Sequence, residues 1–102
     1  MKLSVFTVLY KDRALSEVLD ILKAKSIHHV EVGCGGFIGK DHSDPSKLLK
    51  DRRAREQFLE LFLAREMEIA CLSCHGNPLH PQKNLALAYH QDIKDAIDLA
   101  SE

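Results

Sequence analysis

Long apolar runs, net charge and paired cysteines are what this sequence has least of. No stretch approaches the roughly 20 consecutive apolar residues that cross a bilayer, so no membrane partner is expected. Lys and Arg number 14 against 15 Asp and Glu, a formal charge of −1. Phosphate-binding surfaces usually show a clear basic excess, so nucleic acid is not an expected partner either. The three cysteines, Cys34, Cys71 and Cys74, are an odd number and imply no disulfide framework. Low-complexity segments and linkers are also missing. The opening MKLSVFTVLYKD has one lysine ahead of a short apolar stretch, but it lacks the small-residue cleavage site of a signal peptide. Its alternation suits a strand, and a cytoplasmic protein is expected.

What is present is ordinary for one small globular domain: 102 residues, 45% apolar and 28% charged. The apolar period switches repeatedly between two and 3.6. Strands are expected at about 2–9, 29–34 and 68–74, from KLSVFTVL, HVEVGC and EIACLSC. Leu15, Val18, Leu19 and Leu22 recur at the spacing of a helix lying on a sheet, with Asp12 as its expected N-cap. Asp44-Pro45 is a helix start, with Asp as cap and Pro at the first helical position. That helical region is expected to run to about Met67 with a break near Asp51, and Phe58, Leu61, Phe62 and Arg65 mark one face. A last helix from about Asn84 carries Tyr89, Ile93, Ala96, Ile97 and Ala100 on one side.

The order is βαβαβα. Strands spaced about 27 to 40 residues apart suit parallel pairing through helical crossovers. Two loops leave the same end of such a sheet: the glycine-rich GCGGFIGKDHS, residues 33–43, and the segment from His75 to Pro81. Strand ends hold side chains rigidly and the loops beyond them vary freely, which is why α/β proteins build their sites there. Three parallel strands with helices on one side leave the other sheet face uncovered, and it is expected to expose Val5, Val30 or Ile69. Both edges are open. The expected partner is therefore a second copy of the chain or the missing remainder of a larger barrel.

The residues KLSVFTVLY, VEVGCGG, the Asp-Pro helix start and SCHGNPLHP, in that order, resemble the sugar phosphate isomerase/epimerase family, the xylose isomerase-like (β/α)8 barrels. The resemblance runs the length of the chain and covers the first three of eight βα units. It implies a TIM-barrel-type α/β fold, a sugar or sugar phosphate as substrate, and isomerisation or epimerisation with a divalent metal (Mn, Mg, Zn or Co). The family's metal ligands, two glutamates, an aspartate and a histidine, come from later strands, so this segment alone is expected to hold no metal and to be inactive. The alternative reading is a truncated barrel serving as a non-catalytic assembly module.

Glu31, between Val30 and Val32, points away from them, which in a barrel means the lumen. There it contacts substrate or a catalytic partner; otherwise it is a strand-end carboxylate paired with a Lys or His. His75, expected on the same face as Ile69, Cys71 and Ser73, is the second catalytic candidate, able to donate to a sugar hydroxyl or shuttle a proton. Asn77 and His80 follow in the loop, as substrate contacts or as turn residues. Cys34 is a further substrate-binding candidate, though it equally reads as a small apolar filler. His42 and Asp44 lie in the long loop near the mouth, with Asp44 better explained as the cap. His28 and His29 read as surface residues, and KDRRARE (50–56) as a solvated helix face. Cys71-x-x-Cys74-His75 also matches the haem-attachment pattern, and with Cys34 it nominates a zinc set. On a strand, however, Cys71 and Cys74 face opposite sides.

Overall fold

The computed structural model describes residues 1–102 and contains a three-stranded parallel sheet and four α-helices. The strands are β1 (Ser4–Phe6), β2 (His29–Gly36) and β3 (Glu68–His75), in the spatial order β1-β2-β3. The helices are α1 (Leu15–Ala24), α2 (Pro45–Leu48), α3 (Arg52–Leu63) and α4 (Lys83–Ser101). No helix is long and apolar enough to cross a membrane.

One face of the sheet is the core. Val30 and Val32 project from β2 onto Leu15, Val18, Leu19 and Leu22 of α1 and Phe62 of α3, and Met67 closes the cluster. Each fully buried side chain of this size contributes roughly 1.5–3 kcal/mol of transfer free energy. The four-residue stripe expected for α1 is buried throughout. The expected exposure of Val5, Val30 and Ile69 is corrected: Val30 is fully buried, and Val5 and Ile69 pack against the helix-side cluster. The uncovered face carries the intervening residues, and those are mostly polar.

Both αβ connections end their helix in the same way. Ser26 and Glu66 adopt left-handed backbone, φ 59° and 55°. The next residue then bonds back across the turn, Ile27 N–H to the Leu22 carbonyl at 3.0 Å and Met67 N–H to that of Phe62 at 2.9 Å. This stops α3 at Leu63, short of the expected Met67, and frees Met67 to enter the core at 3% exposure. Asp44 caps α2 through the Ser46 N–H, with Pro45 behind it, and Asp51 caps α3 through the Ala54 N–H. The Asp-Pro start and the break near Asp51 are thus as read from the sequence.

The amino terminus differs. β1 has only three residues, and Thr7–Tyr10 wind into a 3₁₀ turn. Thr7 Oγ1, fully buried, accepts the Gly33 N–H at 3.2 Å, so a side chain satisfies β2 where a longer β1 would have continued the ladder. The turn also displaces the expected cap: α1 begins after Ala14, and Asp12 caps nothing. In α4, Ala96 is buried, whereas Ile97 and Ala100 of the expected stripe are exposed.

Candidate functional site

The uncovered face is built from alternate residues of all three strands. Parallel pairing aligns Ser4, His29 and Glu68 at its base, then Phe6, Glu31 and Cys71, then Gly33 and Ser73, and finally Gly36 with His75 at the carboxyl rim. Two register shifts set this alignment, one between Gly33 and Gly36 of β2 and the other a bulge at Ala70 of β3. Val30 pairs with Ile69 and Glu31 with Cys71, leaving Ala70 as an extra residue on β3. The expected common face of Ile69 and His75 is therefore corrected: Ile69 turns to the helices, while Cys71, Ser73 and His75 share the open face.

Glu31 is half-buried midway up this face and accepts a hydrogen bond from the Ser73 hydroxyl. The pair joins β2 to β3 through side chains as well as backbone. His75 stands above them, exposed at the rim. Its imidazole lies 5.9 Å from the Phe6 ring and 6.0 Å from Phe37, centroid to centroid, within the range of aromatic pairs. At the base of the face Glu68 gathers His29 at 3.1 Å and Lys2 at 3.8 Å, an exposed network of little energetic weight.

The rim depends on glycine. Gly36, at φ 74°, lies so close to β3 that an added Cβ would fall 1.8 Å from the His75 carbonyl oxygen. The same carbonyl accepts the Phe37 N–H at 2.7 Å, fixing the loop that carries Phe37 beside His75. Asp92 of α4 holds this loop from behind: one oxygen accepts the Gly36 N–H at 2.9 Å and the other meets Lys40 Nζ at 2.8 Å. The Asp92 hydrogen bond raises the Lys40 ammonium above its ordinary pKa despite partial burial. Gly76, beyond β3, is roofed by Tyr89, which an added Cβ would meet at 2.6 Å.

The remaining sequence candidates divide clearly. Cys34 is corrected as a substrate contact. It is fully buried, its thiol donates to the Ser73 carbonyl at 3.3 Å, and burial pushes its pKa up to about 12. Burial and the Asp92 carboxylate likewise raise the Cys74 thiol, whereas Cys71 is exposed on the open face. These cysteines do not converge with His75 into a zinc or haem-attachment set. Asn77 serves its own turn, its side-chain oxygen accepting the Leu79 N–H at 3.0 Å, and His80 Nδ1 accepts the Gln82 N–H at 3.0 Å. His42 is buried, donates to the Arg13 carbonyl at 2.8 Å and lines a small cleft beside Gly33. No group of three or more His, Cys, Asp and Glu is placed to hold a metal ion, so this chain's residues do not form a donor set for the expected divalent cation.

Phe6, Phe37, Ser73 and Asp92 had not been singled out as site residues. Phe6 and Ser73 could have been found by following period two along each strand past Glu31 and His75. Phe37 and Asp92 carry no such pattern, because a loop and a helix bring them in.

No family model matches the chain. It is similar to a longer bacterial protein. Over 95 residues, 93% of its length, it is 30% identical to the uncharacterized protein YfiH of Bacillus subtilis (strain 168), and it spans about 30% of that protein's length.

Proposed function

We propose that this chain forms the first three βα units of a xylose isomerase-like barrel acting on a sugar or sugar phosphate, with the open sheet face as part of the lumen wall. The observation that carries this reading is the chemistry of that face. A sheet face left without helices is mostly polar, centres on the Glu31–Ser73 pair, and ends in an exposed imidazole at the carboxyl rim. A carboxylate and a histidine on adjacent strands suit a chain of hydroxyl groups: Glu31 accepts hydrogen bonds from hydroxyls, and the His75 imidazole donates or accepts one. The greater length of the relative leaves room for the further strands that a closed barrel needs.

The test is a chimera in which residues 1–102 replace the matched segment of the YfiH protein, assayed by NMR for interconversion of aldoses, ketoses and their phosphate esters. His75→Ala should lower turnover by about 10²-fold, the smaller end of a general acid–base contribution, with metal content unchanged by elemental analysis. Loss of metal with the imidazole would assign His75 a different role. Absence of turnover in both the chimera and YfiH itself would remove the reading. The 102-residue chain alone should turn over none of these sugars.

A non-catalytic assembly module is the second reading, and the far edge of β3 favours it. That eight-residue edge is unpaired and borders a cleft of about 570 Å³ between α3 and α4, lined by Phe58, Leu59, Ile69, Leu72 and Leu99. An added strand would find both backbone partners and apolar cover there. Light scattering distinguishes self-association from a monomer at micromolar concentration.

A further inference from the structure

We propose that Phe6, His75 and Phe37 form a stacking platform at the rim for the uncharged, hydroxyl-bearing end of a sugar, and that this part of the site does not take a phosphate. The inference rests on the sugar-binding reading above and specifies which end of the molecule lies here.

Three observations carry it. The first is the aromatic grouping itself. Phe37 is 74% exposed on the loop after β2, although a lone phenyl ring gains nothing from water. Its ring lies 6.0 Å from the His75 imidazole, which lies 5.9 Å from Phe6, and the rings are tilted by 48° and 55°, so three aromatic groups from two strands and a loop form an angled wall with His75 at its centre. The C–H faces of a carbohydrate are apolar, and planar rings match them while leaving the hydroxyls free at the edge.

The second observation is what adjoins the rings. The Glu31 carboxylate lies beside Phe6 in the same row and the Ser73 hydroxyl one row below His75, a negative and a neutral group. Both accept hydrogen bonds from hydroxyls, whereas a phosphate next to Glu31 meets like charge. The third is the placement of the neighbouring cation. Lys40, on the same loop as Phe37, is held by Asp92 at 2.8 Å and further compensated by Asp44 and Asp95. Its charge is already matched. Lys11 and Asp41 both line one small cleft beside Gly33, so that cleft carries charges of both signs.

The test uses the 102-residue chain labelled with ¹⁵N and titrated with D-fructose or with D-fructose 6-phosphate, followed by amide shifts. Fructose should move the Phe6, Phe37 and His75 signals. Phe37→Ala, an exposed change that leaves the core intact, should weaken that binding at least about fivefold, while Phe37→Tyr retains it. The phosphate ester should bind no tighter than fructose. Tighter binding of the ester at the same three residues would overturn the proposal but leave the sugar-binding reading standing. Fructose binding indifferent to Phe37→Ala would overturn the platform alone. If neither sugar moves these signals, both the platform and the reading beneath it fail.

Discussion

The two faces of β2 are one residue apart and have opposite lives. Val30 and Val32 are fully buried under α1 and α3; His29, Glu31 and Gly33 look outward between them. On the covered face each side chain is explained by what it packs against. On the open face packing explains little: a half-buried carboxylate, a hydroxyl and an imidazole are kept where apolar residues would have been cheaper to place. Stability is concentrated on one side of the sheet, and chemistry can be concentrated on the other.

Substitutions can break this contrast, starting with the largest effect. Leu19→Ala removes a side chain with no exposed surface from the centre of the core. It should cost about 2–5 kcal/mol, measured by urea denaturation. A loss below about 1 kcal/mol would mean that the helix-covered face is not where stability resides.

Thiol chemistry sharpens the contrast without mutation. At pH 8 a disulfide reagent should modify exposed Cys71 rapidly and half-buried Cys74 slowly. It should reach Cys34, whose pKa burial pushes up to about 12, only when the chain unfolds. Mass spectrometry of partially labelled protein reads this order directly, and early labelling of Cys34 would contradict it.

A smaller effect is expected at Asp44, which belongs to neither face. Burial works to raise its carboxyl pKa, but the Ser46 hydroxyl, Lys40 and the Ser46 N–H outweigh burial and hold it below the ordinary 3.8. With the folded value depressed, its contribution is present above the unfolded pKa and is lost as pH falls through the folded value. Asp44→Ala should cost about 1 kcal/mol at pH 7, as for a helix cap. The difference from wild type should shrink as the pH falls below 3.8.

The smallest change belongs to the open face. Glu31→Gln keeps the shape and an acceptor for Ser73, so stability should shift by no more than about 0.5 kcal/mol. The same substitution should abolish sugar-induced shifts at the rim if the carboxylate receives hydroxyl protons. A large loss of stability with unchanged sugar binding would reverse the assignment of the two faces.

Much of the covered face was legible in the sequence. Leu15, Val18, Leu19 and Leu22 repeat at helical spacing, and Asp44-Pro45 states a cap and a first turn in two letters. These are local patterns, and local hydrogen bonds and packing obey them. What escaped was non-local. The end of β1 is decided by the Thr7 hydroxyl reaching the Gly33 N–H across the sheet, and nothing in KLSVFTVLY announces it. Cys34 was read both as a substrate contact and as a small apolar filler, and its spacing of two from Val32 sends it to the buried face. The open face was expected to expose Val5, Val30 or Ile69. Those residues instead occupy the helix-side positions.

The Ala70 bulge has an evolutionary corollary. Ile69 and Leu72 both face the core although they are three apart, which an uninterrupted strand does not allow. Loss of a single codon at Ala70 would restore strict alternation and leave every other side chain on its present face, Ile69 and Leu72 toward the helices and Cys71, Ser73 and His75 toward the opening. The bulge is thus a spare residue, which the lineage of this protein can lose without turning over either its core or its histidine.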